Sequence, residues 1–459
     1  MIMTLLAINW ALVGIKAGQL ILSLSIIVIL HEFGHYLPAK LFKCRVEKFF
    51  LFFDPYFALF KRKIGETIYG IGWLPLGGYV KIAGMIDESM DKEQLSQPPQ
   101  PWEFRSKPAW QRLIIMLGGV TVNVIMAFVI YALILFVWGD RKIPIESVKS
   151  GISISDSLMY ELGFKDGDKI VSINNKPVLY YEDIFKNLIL AEKVEIERDG
   201  QHQVINLPVN LIGKLIEKKR SGMVLFSPRI PAIAYIIPDT SNAAKAGLRR
   251  YDKIVGIDSA RFTYFDEYKK IMNTRKGESI HLIVERDARL DTLVAQVTKE
   301  GNLGFYKFED FESLDSLGLI KIEKKSYGLF ESFPAGLNLA YETLRSYIDQ
   351  FKKMFSPKTE AYKGVGGFKT MGSIFPSVWD WQSFWAITAF FSIALAFMNL
   401  LPVPALDGGH VLFTLIEIIT GKKPNQKFLE YAQVIGMVLL LSLVLYANLN
   451  DWFGWGKGR

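Results

Sequence analysis

Residues 31–35 read His31-Glu32-Phe33-Gly34-His35 and follow an almost wholly apolar stretch, residues 19–30. With its flanks, residues 17–42, this stretch is long enough for a bilayer core, which roughly 20 residues cross. Side chains four positions apart lie on one face of a helix, so both imidazoles can converge on one metal ion while Glu32 is close enough to transfer a proton. The sequence therefore predicts a membrane-spanning helix with a metal-binding, water-activating motif near its end.

Two alternatives compete with this interpretation. The polar residues could end a span and reach toward lipid headgroups, but that explains polarity and not two histidines and a carboxylate in this register. An acidic or basic side chain at the centre of a membrane helix costs about 2.5–3.5 kcal/mol and usually marks function. A cleavable signal peptide is the second alternative, yet its removal would discard His31, Glu32 and His35, and no small-residue cleavage pattern follows them.

The composition also places part of the chain in lipid. Of its 459 residues 50% are hydrophobic, and the mean hydropathy is +0.20, which is high for a soluble protein of this size. Residues 113–138, 384–401 and 428–447 are three further candidate spans. Cys44 is the only cysteine, which excludes an intrachain disulfide and a cysteine-based metal cluster.

The net charge of +8 indicates membrane topology and not nucleic-acid binding, because no basic stripe interleaved with aromatic residues is present. The basic residues instead flank the spans: Lys40, Lys43, Arg45, Lys48, Lys61, Arg62 and Lys63 follow the first, Arg105, Lys107 and Arg112 precede the second, and Lys422, Lys423 and Lys427 lie between the last two. By the positive-inside rule these loops are cytoplasmic, which places residues 141–379 and both chain ends outside. Lys457 and Arg459 argue weakly against an external C-terminus.

Between the first two spans the sequence predicts short strands. Residues 46–53, 67–73 and 78–83 are rich in β-branched and aromatic residues and are separated by prolines and glycines. They are too apolar for a free loop, so we expect a hairpin or small sheet that leans into the membrane where protein or a watery cavity satisfies its backbone. A polar, proline-rich connector follows at residues 96–101.

The external region contains an internal repeat. Residues 162–171, LGFKDGDKIV, recur as residues 246–255, AGLRRYDKIV, and stretches that predict strands follow each copy. Two similar β-rich modules are the simplest interpretation, and their pattern resembles PDZ domains, which bind extended peptides along a sheet edge. Farther on, residues 329–355 predict either an interfacial amphipathic helix or an ordinary packed helix, about equally well.

The third span supplies candidates for a further metal ligand, because a hydrolytic zinc site usually has three protein ligands and one position for water. It contains Asn399-Leu400-Leu401-Pro402-Val403-Pro404-Ala405-Leu406-Asp407-Gly408-Gly409-His410, in which prolines and glycines should unwind the helix. Unwound backbone in lipid is tolerated only around a polar cavity. Asp407 is favoured and His410 stays a rival, whereas His202 and His281 belong to the external modules.

Together these motifs resemble the site-2 protease family, in its bacterial regulator-of-sigma-E type. The resemblance rests on the motifs H-E-F-G-H in the first span, N-x-x-P-x-P-x-L-D-G-G in the third, Pro75-Leu76-Gly77-Gly78-Tyr79-Val80-Lys81, Gly119-Val120-Thr121-Val122-Asn123 in the second span, and the paired PDZ-like repeats. It covers nearly the whole chain. Residues 364–369 depart from the proline-containing form of the family, and their role stays open.

The resemblance implies an intramembrane zinc metalloendopeptidase with one Zn²⁺ per chain. The residues it implies are Glu32 as catalytic base, His31, His35 and Asp407 as metal ligands, Asn399 and a strand edge at Gly77, Gly78, Tyr79 and Val80 as substrate contacts, and His410 and Asn123 as neighbours of the ligands. For Asn123 an ordinary packing role is nearly as good an interpretation. The expected substrates are single-pass membrane proteins, either anti-sigma factors or leftover signal peptides, cut second in regulated intramembrane proteolysis.

The predicted fold is a polytopic α-helical membrane protein with four transmembrane helices, a membrane-associated β-hairpin region and two extracytoplasmic α+β PDZ-like domains. Its predicted segments are 1–42, 43–109, 110–138, 141–227, 228–312, 313–378, 379–420, 426–448 and 449–459. We expect it in the bacterial inner membrane, with the external modules excluding bulky substrates. A membrane PDZ scaffold and a zinc transporter, both without peptidase activity, are the alternatives.

Overall fold

The computed structural model describes residues 10–75, 77–85, 97–217, 224–308 and 310–454. The predicted chain ends at residues 1–9 and 455–459, Leu76 of the predicted β region and residue 96 of the connector lie outside these ranges. The chain divides into two compact units. Unit one contains residues 1–139, 326–355 and 362–459, and unit two contains residues 140–325 and 356–361.

Helices dominate unit one, whereas unit two alternates strands with short helices. The α-helices are α1 (Trp10–Leu41), α2 (Ala109–Trp138), α3 (Ser157–Glu161), α4 (Glu182–Leu188), α5 (Leu211–Glu217), α6 (Asn242–Lys245), α7 (Phe265–Thr274), α8 (Phe311–Ser316), α9 (Leu329–Met354), α10 (Phe368–Ile374), α11 (Trp381–Leu400), α12 (Asp407–Thr420) and α13 (Gln426–Phe453). The strands are β1 (Val46–Leu51), β2 (Phe53–Ile64), β3 (Thr67–Leu74), β4 (Tyr79–Ile82), β5 (Asp140–Lys142), β6 (Ile152–Ile154), β7 (Lys169–Ile173), β8 (Lys176–Pro177), β9 (Lys193–Arg198), β10 (Gln201–Asn206), β11 (Phe226–Pro228), β12 (Lys253–Ile257), β13 (Ala260–Arg261), β14 (Ser279–Arg286), β15 (Arg289–Gln296) and β16 (Glu323–Lys325).

Four helices within the described ranges are long and apolar enough to cross a membrane, namely α1, α2, α11 and α13. They coincide with the four apolar stretches that the sequence analysis selected. The third of these stretches is followed by a break at residues 401–406, after which α12 begins. Pro402 and Pro404 lie in this break and have no backbone N–H with which to continue an α-helix, which explains why α11 ends there.

Helix α2 is the centre of unit one, and α1, α9, α11 and α12 all pack against it. The approach of α1 depends on glycine, because a Cβ on Gly34 would lie 2.4 Å from the carbonyl oxygen of Gly118. Helix α9 approaches α2 in the same way, because a Cβ on Gly336 would lie 2.6 Å from the backbone nitrogen of Ala132. The sequence left two interpretations open for residues 329–355, an interfacial amphipathic helix or a packed helix. The face of α9 that contacts α2 is that of a packed helix.

The region between α1 and α2 is a four-stranded sheet with the order β2-β3-β1-β4. Strand β1 pairs in parallel with β3 and antiparallel with β4, and it also packs on α1. The sequence predicted β1, β3 and β4, but the prolines and glycines between them were interpreted as breaks, so that β2, which contains Pro55, was missed. Proline is tolerated there because β2 is an outer strand, where a missing N–H need not interrupt the ladder.

The internal repeat corresponds to two equivalent modules in unit two. The sheet β8-β7-β9-β10 matches the sheet β13-β12-β14-β15 strand for strand. The same buried ion pair occurs in both: Arg198 Nε donates to Asp168 Oδ1 at 2.7 Å, and Arg286 Nη2 donates to Asp252 Oδ2 at 2.6 Å. The aspartate of each repeat therefore ties its turn to a neighbouring strand, which explains why the sequence repeats at this position.

Candidate metal centre

Helix α1 and the first turn of α12 bring three metal-binding side chains together. His31 and His35 lie one turn apart on the buried face of α1, and Asp407 is the first residue of α12. The atoms His31 Nε2, His35 Nε2 and Asp407 Oδ2 are each 3.2 Å from the other two. Two imidazole nitrogens and one carboxylate oxygen thus surround a single position.

The donor set and its spacing fit zinc. Ligand atoms lie about 2.0–2.2 Å from a tetrahedral zinc ion and hence about 3.3 Å or slightly more from one another. The three separations of 3.2 Å are close to this value. Asp407 Oδ2 is buried and makes no hydrogen bond within the described structure, although both imidazoles are near it. A buried carboxylate oxygen beside two imidazole nitrogens fits the donor set of a zinc ion, and three protein ligands leave a fourth position for water.

Helix α2 provides a partner for the other ring nitrogen of each histidine. His35 Nδ1 is 2.8 Å from the carbonyl oxygen of Ile115, and His31 Nδ1 is 3.1 Å from the amide nitrogen of Asn123. A carbonyl accepts only from a protonated Nδ1, which leaves His35 Nε2 with a lone pair for a metal. Rotation of the Asn123 side-chain amide by 180° exchanges its nitrogen and its oxygen. Oδ1, which is otherwise buried without a partner, then accepts from a protonated His31 Nδ1, and His31 Nε2 likewise keeps a lone pair for a metal.

Glycines make room for the two imidazole rings. A Cβ on Gly119 would lie 2.4 Å from His35 Nε2 and 2.6 Å from His31 Cε1. Together with the contact of Gly34 and Gly118, this fit holds α2 directly against the metal-binding face of α1. In the sequence, Gly119 and Gly34 stand out only as parts of motifs and Gly118 does not stand out at all, because a close helix approach has no local signal beyond the lack of a side chain.

The break before Asp407 has a backbone that few residues permit. Ala405 has a φ of +76°, a left-handed conformation in which a Cβ is unfavourable. Glycines follow because a Cβ on Gly408 would lie 2.2 Å from the carbonyl oxygen of Leu401. The chain therefore turns tightly after α11, and Asp407 begins the new helix α12.

Asn399 and His410 lie on either side of this break. Asn399 is in the last turn of α11, and its Nδ2 is 3.2 Å from His31 Nε2. His410 is in the first turn of α12, but the metal-binding cluster found among the described residues contains Asp407 and not His410. The remaining histidines are His202 in β10 and His281 in β14, with mostly exposed side chains.

Glu32 lies on α1 beside strand β4. The backbone of Val80 in β4 lies close to the Glu32 carboxylate. Gly78 precedes β4, and a Cβ there would be 2.7 Å from Val28 Cγ1 and 3.5 Å from Glu32 Cγ. Glycine at this position therefore lets the chain touch α1, so that an edge strand lies next to the carboxylate of the H-E-x-x-H motif.

Gly77 and Tyr79 have other surroundings. Gly77 has a φ of +149°, and a Cβ there would lie 3.1 Å from the ring of Phe53. The hydroxyl of Tyr79 donates to Asp54 Oδ1 at 2.7 Å, and its ring stacks on Phe50. These contacts belong to the sheet itself and hold β4 in place beside α1.

A buried ion pair joins α2 to α12. Arg112 Nη2 donates to Glu417 Oε1 at 2.5 Å, and the two side chains are only 12% and 10% exposed. From the sequence, Arg112 is predicted only as a charge that sets membrane topology and Glu417 does not stand out, because the two residues are far apart in the chain. The pair ties the helix that begins with Asp407 to the helix that contacts both histidines.

The amino-acid sequence of this chain is similar to those of known proteins. Residues 19–443 match peptidase family M50, the site-2 protease family, and the chain belongs to it. Regulator of sigma E protease from Haemophilus influenzae is 27% identical to it over 461 residues, which are 95% of this chain and 98% of that protein. Regulator of sigma-E protease RseP from Escherichia coli (strain K12) is 26% identical over 463 residues, with the same two coverages, 95% and 98%.

Family membership makes this chain a zinc metalloprotease, and four of its described helices are long and apolar enough to cross a membrane. The predicted enzyme class and the predicted zinc cofactor are confirmed, and the scaffold and transporter alternatives are not supported.

Proposed function

We propose that this chain is an intramembrane endopeptidase that hydrolyses peptide bonds within or near the membrane spans of single-pass membrane proteins. The observation that carries the proposal is the convergence of His31, His35 and Asp407 beside Glu32, within a bundle of helices apolar enough to span a bilayer. A catalytic centre in this setting acts on chains that are themselves in the membrane.

In this proposal His31, His35 and Asp407 hold the metal. Bound zinc lowers the pKa of a coordinated water toward neutrality and polarises a carbonyl group. Glu32 accepts the proton of the attacking water and delivers it to the leaving amine. Asn399, whose amide is 3.2 Å from His31 Nε2, is well placed to hold the substrate backbone near the reacting carbonyl.

Strand β4 is the proposed site of substrate pairing. A helical substrate must unwind before it is cut, because its carbonyl groups are engaged in internal hydrogen bonds. One side of β4 pairs with β1, and no strand in the described part of the chain pairs with its other side. Because β4 packs on α1 and the preceding Gly78 lies against Glu32, a segment added to this edge passes close to the base. Helix-weakening residues in a substrate should therefore speed its cleavage.

We also propose that the enzyme makes the second cut in regulated intramembrane proteolysis in a bacterial inner membrane. The basic loops support a metal centre near the cytoplasmic side, with the PDZ-like modules outside. The names of the two relatives support anti-sigma factors as substrates, with leftover signal peptides as the alternative class.

In this proposal the two PDZ-like modules act as a size filter that excludes substrates with bulky external domains. Because β5 pairs with β16, residues 142 and 323 lie side by side, and the segment 143–322 can be replaced by a short linker. The shortened enzyme should cleave substrates whose external domain has not been trimmed. Continued rejection of such substrates would refute the size filter.

The substitution Glu32→Gln tests the proposed function. It keeps the shape of the side chain but removes the base, so cleavage of a fluorescent transmembrane substrate should fall by about 100-fold or more while zinc is retained. Glu66→Gln is the matched control, because it makes the same change at an exposed residue of the β2–β3 turn. A Glu32→Gln enzyme that cleaves at the rate of the wild type would refute the assignment.

A further inference from the structure

The last membrane helix, α13, touches the break before Asp407. The side chain of Gln433 is buried, and its Oε1 accepts a hydrogen bond of 3.1 Å from the backbone N–H of Ala405. Gly436 lies one turn farther along, and a Cβ there would be 1.9 Å from the carbonyl oxygen of Pro404. Two neighbouring residues of an otherwise largely exposed helix thus contact two consecutive residues of the break.

These contacts are made at the part of the break whose backbone conformation is least stable by itself. Ala405 has a φ of +76°, which a residue with a Cβ adopts only when its surroundings stabilise it. Pro402 and Pro404 have no backbone N–H group, so they cannot donate the hydrogen bonds that would continue an α-helix. Asp407 follows Ala405 by two residues, so a shift of this turn moves the carboxylate relative to His31 and His35.

We propose that Gln433 is a positioning residue of the metal centre: supported by the close fit of Gly436, it holds the break in the conformation that presents Asp407 to the two histidines. The inference rests on the proposed role of Asp407 as a ligand. It gives α13 a second role, support of the metal centre, besides that of a candidate membrane span.

The far end of α13 is anchored elsewhere, which provides a matched control. Asn450 is fully buried, and its Nδ2 donates to the carbonyl oxygens of Lys363 at 3.0 Å and Val365 at 2.8 Å. Asp451 accepts hydrogen bonds from the backbone N–H groups of Gly367 and Thr370. The segment whose role the sequence left open is thus bound to α13, at a point distinct from the metal-binding break.

The test compares zinc affinity in full-length protein by competition with a chelator. Gln433→Met keeps most of the side-chain volume but loses the acceptor, and it should weaken zinc binding by about tenfold or more, as loss of an outer hydrogen-bond partner does. Gln433→Glu keeps an oxygen at the same position and should restore affinity to within about threefold of the wild type. Asn450→Leu removes an equally buried amide from the same helix and should lower the thermal midpoint while leaving zinc affinity unchanged.

Gly436→Ala provides a second route if Gln433→Met does not fold, because the added Cβ displaces Pro404 from the other side of the same contact. It too should weaken zinc binding. Wild-type zinc affinity in both Gln433→Met and Gly436→Ala, or an equal loss in Asn450→Leu, would overturn the inference. Substrate cleavage by the wild type is measured separately. An enzyme that fails to cleave would contradict the proposed function, whereas the positioning role is judged by zinc affinity alone.

Discussion

The two sides of the metal centre are built differently. His31 and His35 belong to one continuous helix, and α2 engages the second nitrogen of each ring. Asp407 follows a break of six residues, 401–406, that includes a strained alanine and needs a contact from α13. The spacing of the two histidines is set by the register of one helix, whereas the position of the carboxylate depends on a non-helical break whose backbone is contacted by another helix.

The largest expected effect on zinc affinity comes from removing a ligand. His35→Ala and Asp407→Ala should each weaken zinc binding by more than the roughly 100-fold that loss of an outer partner costs. Asp407→Asn should lose less than Asp407→Ala, because an amide oxygen remains at the same position. Chelator competition checks both statements, and wild-type zinc affinity in His35→Ala would contradict the assignment of His35 as a ligand.

A smaller effect is expected when the histidine side loses the Asn123 contact. Asn123→Leu removes the acceptor for His31 Nδ1 and should weaken zinc binding by about 10-fold, whereas Asn123→Asp keeps an acceptor and should bind nearly as well. The control is Thr388→Val, which removes an equally buried hydrogen bond, to Ser23 Oγ, away from the histidines. If Thr388→Val lowers affinity as much as Asn123→Leu, the contact acts through packing and not through the ring nitrogen.

The smallest effect on zinc affinity is expected at the buried pair of α2 and α12. Arg112→Met leaves Glu417 without its partner and should destabilise the fold by about 3 kcal/mol or more, with less than a tenfold loss of zinc affinity. Replacing both residues by methionine should recover most of the stability, because two apolar side chains leave no unpaired charge. Thermal unfolding in detergent measures both, and an equally unstable double variant would contradict this account of the pair.

The sequence predicted most of what depends on local pattern. The H-E-x-x-H register, the four apolar spans and the repeat all arise from periodicity within a few turns or strands. Asp407 was favoured because prolines and glycines mark a break, but the residues alone left His410 as a rival. The features that the sequence did not predict depend on contacts with residues far away in the chain. Gly118 matters only because α1 crosses α2 at this residue. Gln433 looks like any other polar residue of an apolar helix, and only its hydrogen bond with Ala405 distinguishes it. Strand β2 was missed because Pro55 is acceptable only on an outer strand, and that position is a property of the assembled sheet.

X-ray absorption at the zinc edge of the purified full-length protein tests the central claim most directly. The account predicts one zinc per chain, bound by two imidazoles together with oxygen ligands, and loss of one imidazole from the spectrum of His31→Ala. Protein that is active without bound zinc, or a zinc shell that is unchanged in His31→Ala, would contradict it.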